Sequence, residues 1–75
     1  MLFREYGSER NDTVVLLHGG GLSDWSLSDI VNGLKDQYHV VTPIIDGHGS
    51  DTGTVFLSIE DSAEKLISWI DAHCD

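Results

Sequence analysis

Residues Thr13-Val14-Val15-Leu16-Leu17 form an unbroken apolar run, rich in β-branched side chains, that stops at His18-Gly19-Gly20-Gly21. Such a run offers water no polar face. It predicts a strand covered on both faces, as in parallel sheets. Consecutive glycines weaken a strand and permit positive φ, so the strand must give way to a loop whose backbone can approach a ligand closely. A second run, His39-Val40-Val41-Thr42-Pro43-Ile44-Ile45, predicts another buried strand. Pro43 cannot donate to a ladder and belongs near that strand's C-terminal end. The run leads into a glycine-containing loop over residues 46–53.

Between the two strands, Leu27, Ile30, Val31, Leu34 and Tyr38 recur close to the helical period. Ser23, Asp24 or Ser26 can cap the N-terminus, and a helix is predicted over about residues 25–36. The clearest element comes last. Ile59, Ala63, Leu66, Ile67, Ile70 and Cys74 mark one face of an amphipathic helix over about residues 60–73. Ser58 and Asp61 resemble a capping box, with Asp in place of Glu or Gln. Residues 2–6 partly alternate and predict a half-buried strand, followed by a polar loop over 7–12. Strands alternating with helices define an α/β chain whose parallel strands are joined by right-handed crossovers. The 40–45 strand is expected to pair with 13–17, and the two helices to cover opposite faces. Trp25 and Trp69 are expected to pack helix against sheet.

A 75-residue chain buries only about 60% of its unfolded surface, so its core needs reinforcement. The single cysteine, Cys74, allows no internal disulfide, and the four histidines lack metal-finger spacing. The last helix is expected to lead to a further parallel strand. Residues 1–75 are therefore expected to be part of a larger domain. Thirteen acids against four bases give a net charge of −9, which disfavours nucleic acid and anionic membrane as partners. No apolar run approaches the roughly 20 residues of a membrane span, and residues 1–10 contain no signal-type apolar core. A cytoplasmic location is expected, with Cys74 packed into the core.

The two strand-to-loop segments together carry a more specific signal. Val14-Val15-Leu16-Leu17-His18-Gly19-Gly20-Gly21 resembles the oxyanion-hole segment of α/β-hydrolases. Pro43-Ile44-Ile45-Asp46-Gly47-His48-Gly49 is similar to that family's next strand end, and the interval between them suits one helix. The resemblance covers most of the chain from Thr13 onward. It implies the N-terminal βαβα portion of a doubly wound, mostly parallel sheet, with the 2–6 strand antiparallel to its neighbour. It also implies hydrolysis of an ester or related acyl bond, with no metal or organic cofactor. Gly20 would donate its N–H to the oxyanion, assisted by Gly21. His18 and Gly19 would support the loop, and Trp25 would stand at a substrate entrance.

The chain departs from that pattern at Ile44, Asp46 and Asp51, where the family commonly has Asp, a basic residue and Ser. These departures point to a divergent branch. No serine has glycine at both −2 and +2, so the nucleophile elbow is absent from these 75 residues. The acid and catalytic histidine follow the nucleophile in that family, so none of the four histidines is expected in a triad. The isolated chain is thus expected to be catalytically incomplete, and to be poorly stable or self-associate through an exposed strand edge. Two other classes compete: a stand-alone acidic interaction or carrier module, and a small βαβ module cradling phosphate on residues 18–24. The second lacks both the P-loop lysine and Gly-x-Gly-x-x-Gly. Asp46, His48 and Asp51 are the only candidate metal cluster, against a simple hydrogen-bonded loop.

Overall fold

The computed structural model describes residues 1–7, 9, 10 and 12–73. Three strands, β1 (Leu2–Tyr6), β2 (Thr13–Val15) and β3 (His39–Ile44), and two helices, α1 (Ser28–Leu34) and α2 (Ile59–His73), make a small α/β fold. A 3₁₀ turn over Asp24–Leu27 precedes α1. The sheet order is β1-β3-β2, with β1 antiparallel and β2 parallel to β3. The parallel pairing and the antiparallel first strand agree with expectation. The sheet as a whole is mixed, with one ladder of each kind, and not the doubly wound, mostly parallel sheet expected.

β3 is the central strand, and all six of its residues are buried. The apolar run at 13–17 was expected to be equally covered, but it is not. β2 stops at Val15, Val14 and Val15 are half-buried, and Leu17 is 56% exposed. Two causes are visible. β2 lies at the sheet edge among the described residues, so one flank has no neighbour. In addition, Leu16 N–H donates to Val41 O at 2.9 Å, and the next parallel rung would need an N–H at position 43. Pro43 has none, so the ladder ends there.

Strand alternation separates two faces. Phe3, Val15, Val41 and Pro43 share one, and Phe3 stacks on Trp69 of α2, with centroids 4.4 Å apart and planes 7° apart. Arg4, Thr42 and Ile44 share the other. There the Arg4 Nε donates to Asp24 Oδ2 at 2.9 Å, and Val31 of α1 is buried. α2 therefore lies on one face, and the 3₁₀ turn that leads into α1 lies on the other. Trp69 packs against the sheet as predicted; Trp25 does not, being 63% exposed on the 3₁₀ turn.

The helix predicted over 25–36 begins as a 3₁₀ turn because Ser23 O accepts both Ser26 N–H (3.1 Å) and Ser26 Oγ–H (2.7 Å), a local bond that competes with α-geometry. α2 starts one residue earlier than predicted. Ser58 is its cap, with Asp61 N–H donating to Ser58 Oγ at 3.0 Å. The Asp61 carboxylate faces Lys65 at 3.4 Å. The apolar stripe of α2 is only partly covered: Ile59 and Ile67 are 77% and 58% exposed. The packing expected of Cys74 lies outside the described residues, as do Ser8 and Asn11 of the 7–12 loop. No helix among the described residues is long and apolar enough to cross a membrane.

Thr42 Oγ1 is buried in β3 with no hydrogen-bond partner among the described residues. Thr42→Val should therefore raise stability by about 1 kcal/mol. In thermal melts that corresponds to roughly 4–8 °C for a domain of this size. A variant that melts no higher than wild type would show that the hydroxyl is satisfied in solution.

Candidate functional site

Both glycine-bearing loops leave the C-terminal ends of the parallel strands β2 and β3, the end of an α/β sheet where ligands bind. His18 joins them. Beyond Pro43 the ladder has no further rung, and the Ile45 N–H instead donates to His18 Nε2 at 3.1 Å. The His18 Nδ1 lies 2.9 Å from Gly19 O. An amide N–H can only donate and a carbonyl can only accept. The ring is therefore held as the neutral Nδ1–H tautomer, with Nε2 accepting. With both nitrogens engaged and the side chain buried, His18 has no free atom for proton transfer.

The first loop closes as a tight turn in which Leu22 N–H donates to Gly19 O at 3.1 Å. Gly21 takes φ +76° at the third position, the pattern of a type II turn, and this is where glycine is required. A Cβ at Gly20 or Gly21 would meet nothing within 4 Å. The glycines thus serve backbone conformation and access rather than internal packing. The turn's own bond leaves the Gly20 and Gly21 N–H groups out. Neither donates to another described residue, and both glycines are exposed. Trp25 follows on the 3₁₀ turn, open to solvent.

The second loop interlocks with the first. Gly49, at φ +52°, lies so close to the buried Ser23 that an added Cβ would sit 2.5 Å from the Ser23 Cβ. Arg4 of β1 reaches both loops, donating to Asp24 and, at 3.3 Å, to Ser50 Oγ. The His18 and His48 rings lie 5.2 Å apart. The His48 Nδ1 is 3.0 Å from the Asp46 carbonyl and so donates to it.

Below this loop is a buried ionic network that sequence reasoning missed. Asp46 is fully buried and accepts from Lys65 Nζ at 2.6 Å, Thr54 Oγ1 at 3.0 Å and the Met1 amine. Asp51 lies 2.7 Å from the same Thr54 Oγ1, whose single proton the two carboxylates share, and pairs with the same amine at 2.9 Å. Burial pushes the Asp46 carboxyl upward most strongly, but the combined bonds from Lys65, the amine and Thr54 prevail and hold it at about 2. The amine, and then Thr54, hold Asp51 below the usual carboxylate range. The Lys65 ammonium is raised by its bond to Asp46. For the Met1 amine, burial acts downward, but the two carboxylates prevail and raise it.

A carboxylate held near 2 is a weak base at neutral pH, so Asp46 acts as a structural anchor, not as a general base. That Lys65 reaches Asp46 depends on how α2 docks. His48 bonds the Asp46 carbonyl and not its carboxylate, and the described residues contain no cluster of three or more metal-ligating side chains. Arg4, which reaches both loops, pairs with Asp24 and donates to Ser50. No protein-family model matches the chain, and no curated protein matches it.

Proposed function

We propose that this chain is the oxyanion-binding, N-terminal part of a serine-hydrolase-like domain acting on ester or related acyl bonds. The observation that carries the proposal is the turn at residues 19–22, at the end of a parallel strand, which leaves the Gly20 and Gly21 N–H groups free and open to solvent. Preorganised N–H donors of this kind stabilise the charge that develops on a carbonyl oxygen during acyl transfer. His18 and Gly19 brace the turn, and Trp25 stands at the entrance. The nucleophile would come from outside these 75 residues. A further parallel strand added to the open edge of β2 would end beside the glycine turn, extending the mixed sheet into a larger, doubly wound one. A serine on the turn after that strand would face Gly20 and Gly21. In the isolated chain the same edge is open to a second copy. The lone thiol favours a reducing, cytoplasmic setting.

The test uses the full product of the source gene. It should label with a fluorophosphonate and hydrolyse p-nitrophenyl butyrate. Gly20→Pro removes one N–H donor at the second position of a type II turn, which proline suits. It should leave the fold intact and lower kcat by about 10²–10³-fold. A product that does not label removes the hydrolase assignment. A folded Gly20→Pro protein with an unchanged rate removes Gly20 as a donor.

A further inference from the structure

At the end of the sheet opposite the glycine loops, one histidine side chain joins all three strands. Thr13 and His39 are the first residues of β2 and β3 and stand side by side in the parallel ladder. Glu5 of β1, beside Val41 in the antiparallel ladder, projects from the same face. The His39 Nε2 lies 2.9 Å from Glu5 Oε1, and the Nδ1 lies 3.1 Å from Thr13 Oγ1. A carboxylate only accepts, so the Nε2–H donates to Glu5. In the neutral ring Nδ1 then carries the lone pair, and the Thr13 hydroxyl donates its proton to it. His39 is only 7% exposed, whereas Thr13 is exposed at the start of an edge strand. The base is thus shielded while the hydroxyl is reachable from solvent.

A hydroxyl within hydrogen-bond reach of a base that a third group orients is the arrangement that activates a nucleophile. We infer that Thr13 is such a nucleophile and takes the acyl group of an activated ester, with His39 as its general base and Glu5 fixing the His39 tautomer. The two ring nitrogens exchange the roles they hold in a serine-protease triad, where Nε2 is the base. In the step, Thr13 Oγ1 bonds the carbonyl carbon as its proton passes to His39 Nδ1. The bond from that carbon to the leaving oxygen then breaks, and the leaving oxygen takes the proton from Nδ1. The products are an acylated Thr13, a free alcohol and a neutral His39. The trio shares no residue with the glycine turn and is not the triad of the hydrolase pattern, so it stands or falls separately from the hydrolase proposal.

The test treats the 75-residue chain with p-nitrophenyl acetate at neutral pH and locates the acetyl group by peptide mass mapping. This chain holds no serine elbow, so an acetylated Thr13 cannot be credited to the hydrolase site. An acetyl ester is expected on Thr13 and is removed by hydroxylamine, whereas acetyl groups on Lys35, Lys65 or the Met1 amine are amides and stay. His39→Gln should slow acetylation of Thr13 by about 10²–10⁴-fold, the contribution of a general base. Glu5→Gln, at a half-exposed side chain, should slow it as well. Thr13→Ser keeps a hydroxyl at the same position and should retain the reaction. Circular dichroism checks that each variant folds. An unmodified Thr13 in the folded wild-type chain, or an unchanged rate in folded His39→Gln or Glu5→Gln, would overturn the proposal and leave the trio as a clamp between strands.

Discussion

Asp46→Asn should destabilise the protein by about 3 kcal/mol, as removal of one partner from a buried ion pair does. The substitution keeps the size of the side chain and removes its charge. The Met1 amine, Thr54 and Lys65 all donate to Asp46, and an amide must turn an NH₂ toward at least one of them. The loss falls at the low end for a buried pair because the Lys65 side chain is 39% exposed and can return to water. Lys65→Met removes one counter-charge and leaves the buried Asp46 carboxylate with the Met1 amine as its partner, so it too should destabilise the protein.

The pH dependence separates this account from a simple packing defect. The Asp46 carboxyl lies at about 2 in the folded protein, against an ordinary 3.8. Its stabilisation is therefore complete above about pH 4 and is lost as pH falls through about 2. Asp51 is shifted in the same direction and adds to the acid limb. Urea titrations between pH 7 and pH 2 should show wild-type stability falling through this window and a flatter profile for Asp46→Asn. Identical acid limbs in the two proteins would mean that Asp46 is not the anchor described.

Gly7→Ala should cost a similar amount through a different mechanism. Gly7 has φ +63°, which costs an L-residue roughly 1–2 kcal/mol. Its Cβ would also sit 2.5 Å from Lys35 O and 2.7 Å from Tyr38 O. These are backbone atoms and cannot rotate away. The turn that carries them is pinned to α1, with Lys35 N–H on Val31 O and Tyr38 N–H on Leu34 O, both at 2.9 Å. Adding the cost of overpacking, roughly 1–3 kcal/mol, gives a total near 3 kcal/mol. The melting temperature should fall by roughly 15 °C. Gly53→Ala is the control. Its Cβ meets nothing within 4 Å and its φ is not positive, so it should lie within about 0.5 kcal/mol of wild type. A Gly7→Ala protein as stable as this control would show that the loop and the α1–β3 turn do not touch.

Much of the fold was legible because local preferences and tertiary packing agree. The apolar run at 39–45 became the fully buried β3, and Ser58 became the cap of α2. The edge position of β2 was not legible. Thr13-Val14-Val15-Leu16-Leu17 has the same character as β3, and only the sheet order distinguishes them. Trp25 and Ile59 look like core residues in the sequence and are exposed, since composition does not record which face of an element has a neighbour.

The candidate site divides along the same line. The sequence by itself determined that two glycine loops follow two strands, because an apolar run, a glycine break and a helical interval are local patterns. It also determined that no nucleophile elbow lies within these residues. The tertiary structure alone decided what the loops do to each other. Pro43 ends the ladder, and His18 takes the rung it leaves at Ile45. Ser23 fits against Gly49, and Lys65 crosses from α2 to Asp46. Each of these contacts joins residues at least 19 positions apart. Such pairs meet only through the register of the strands and the docking of the helices, and no local preference encodes that.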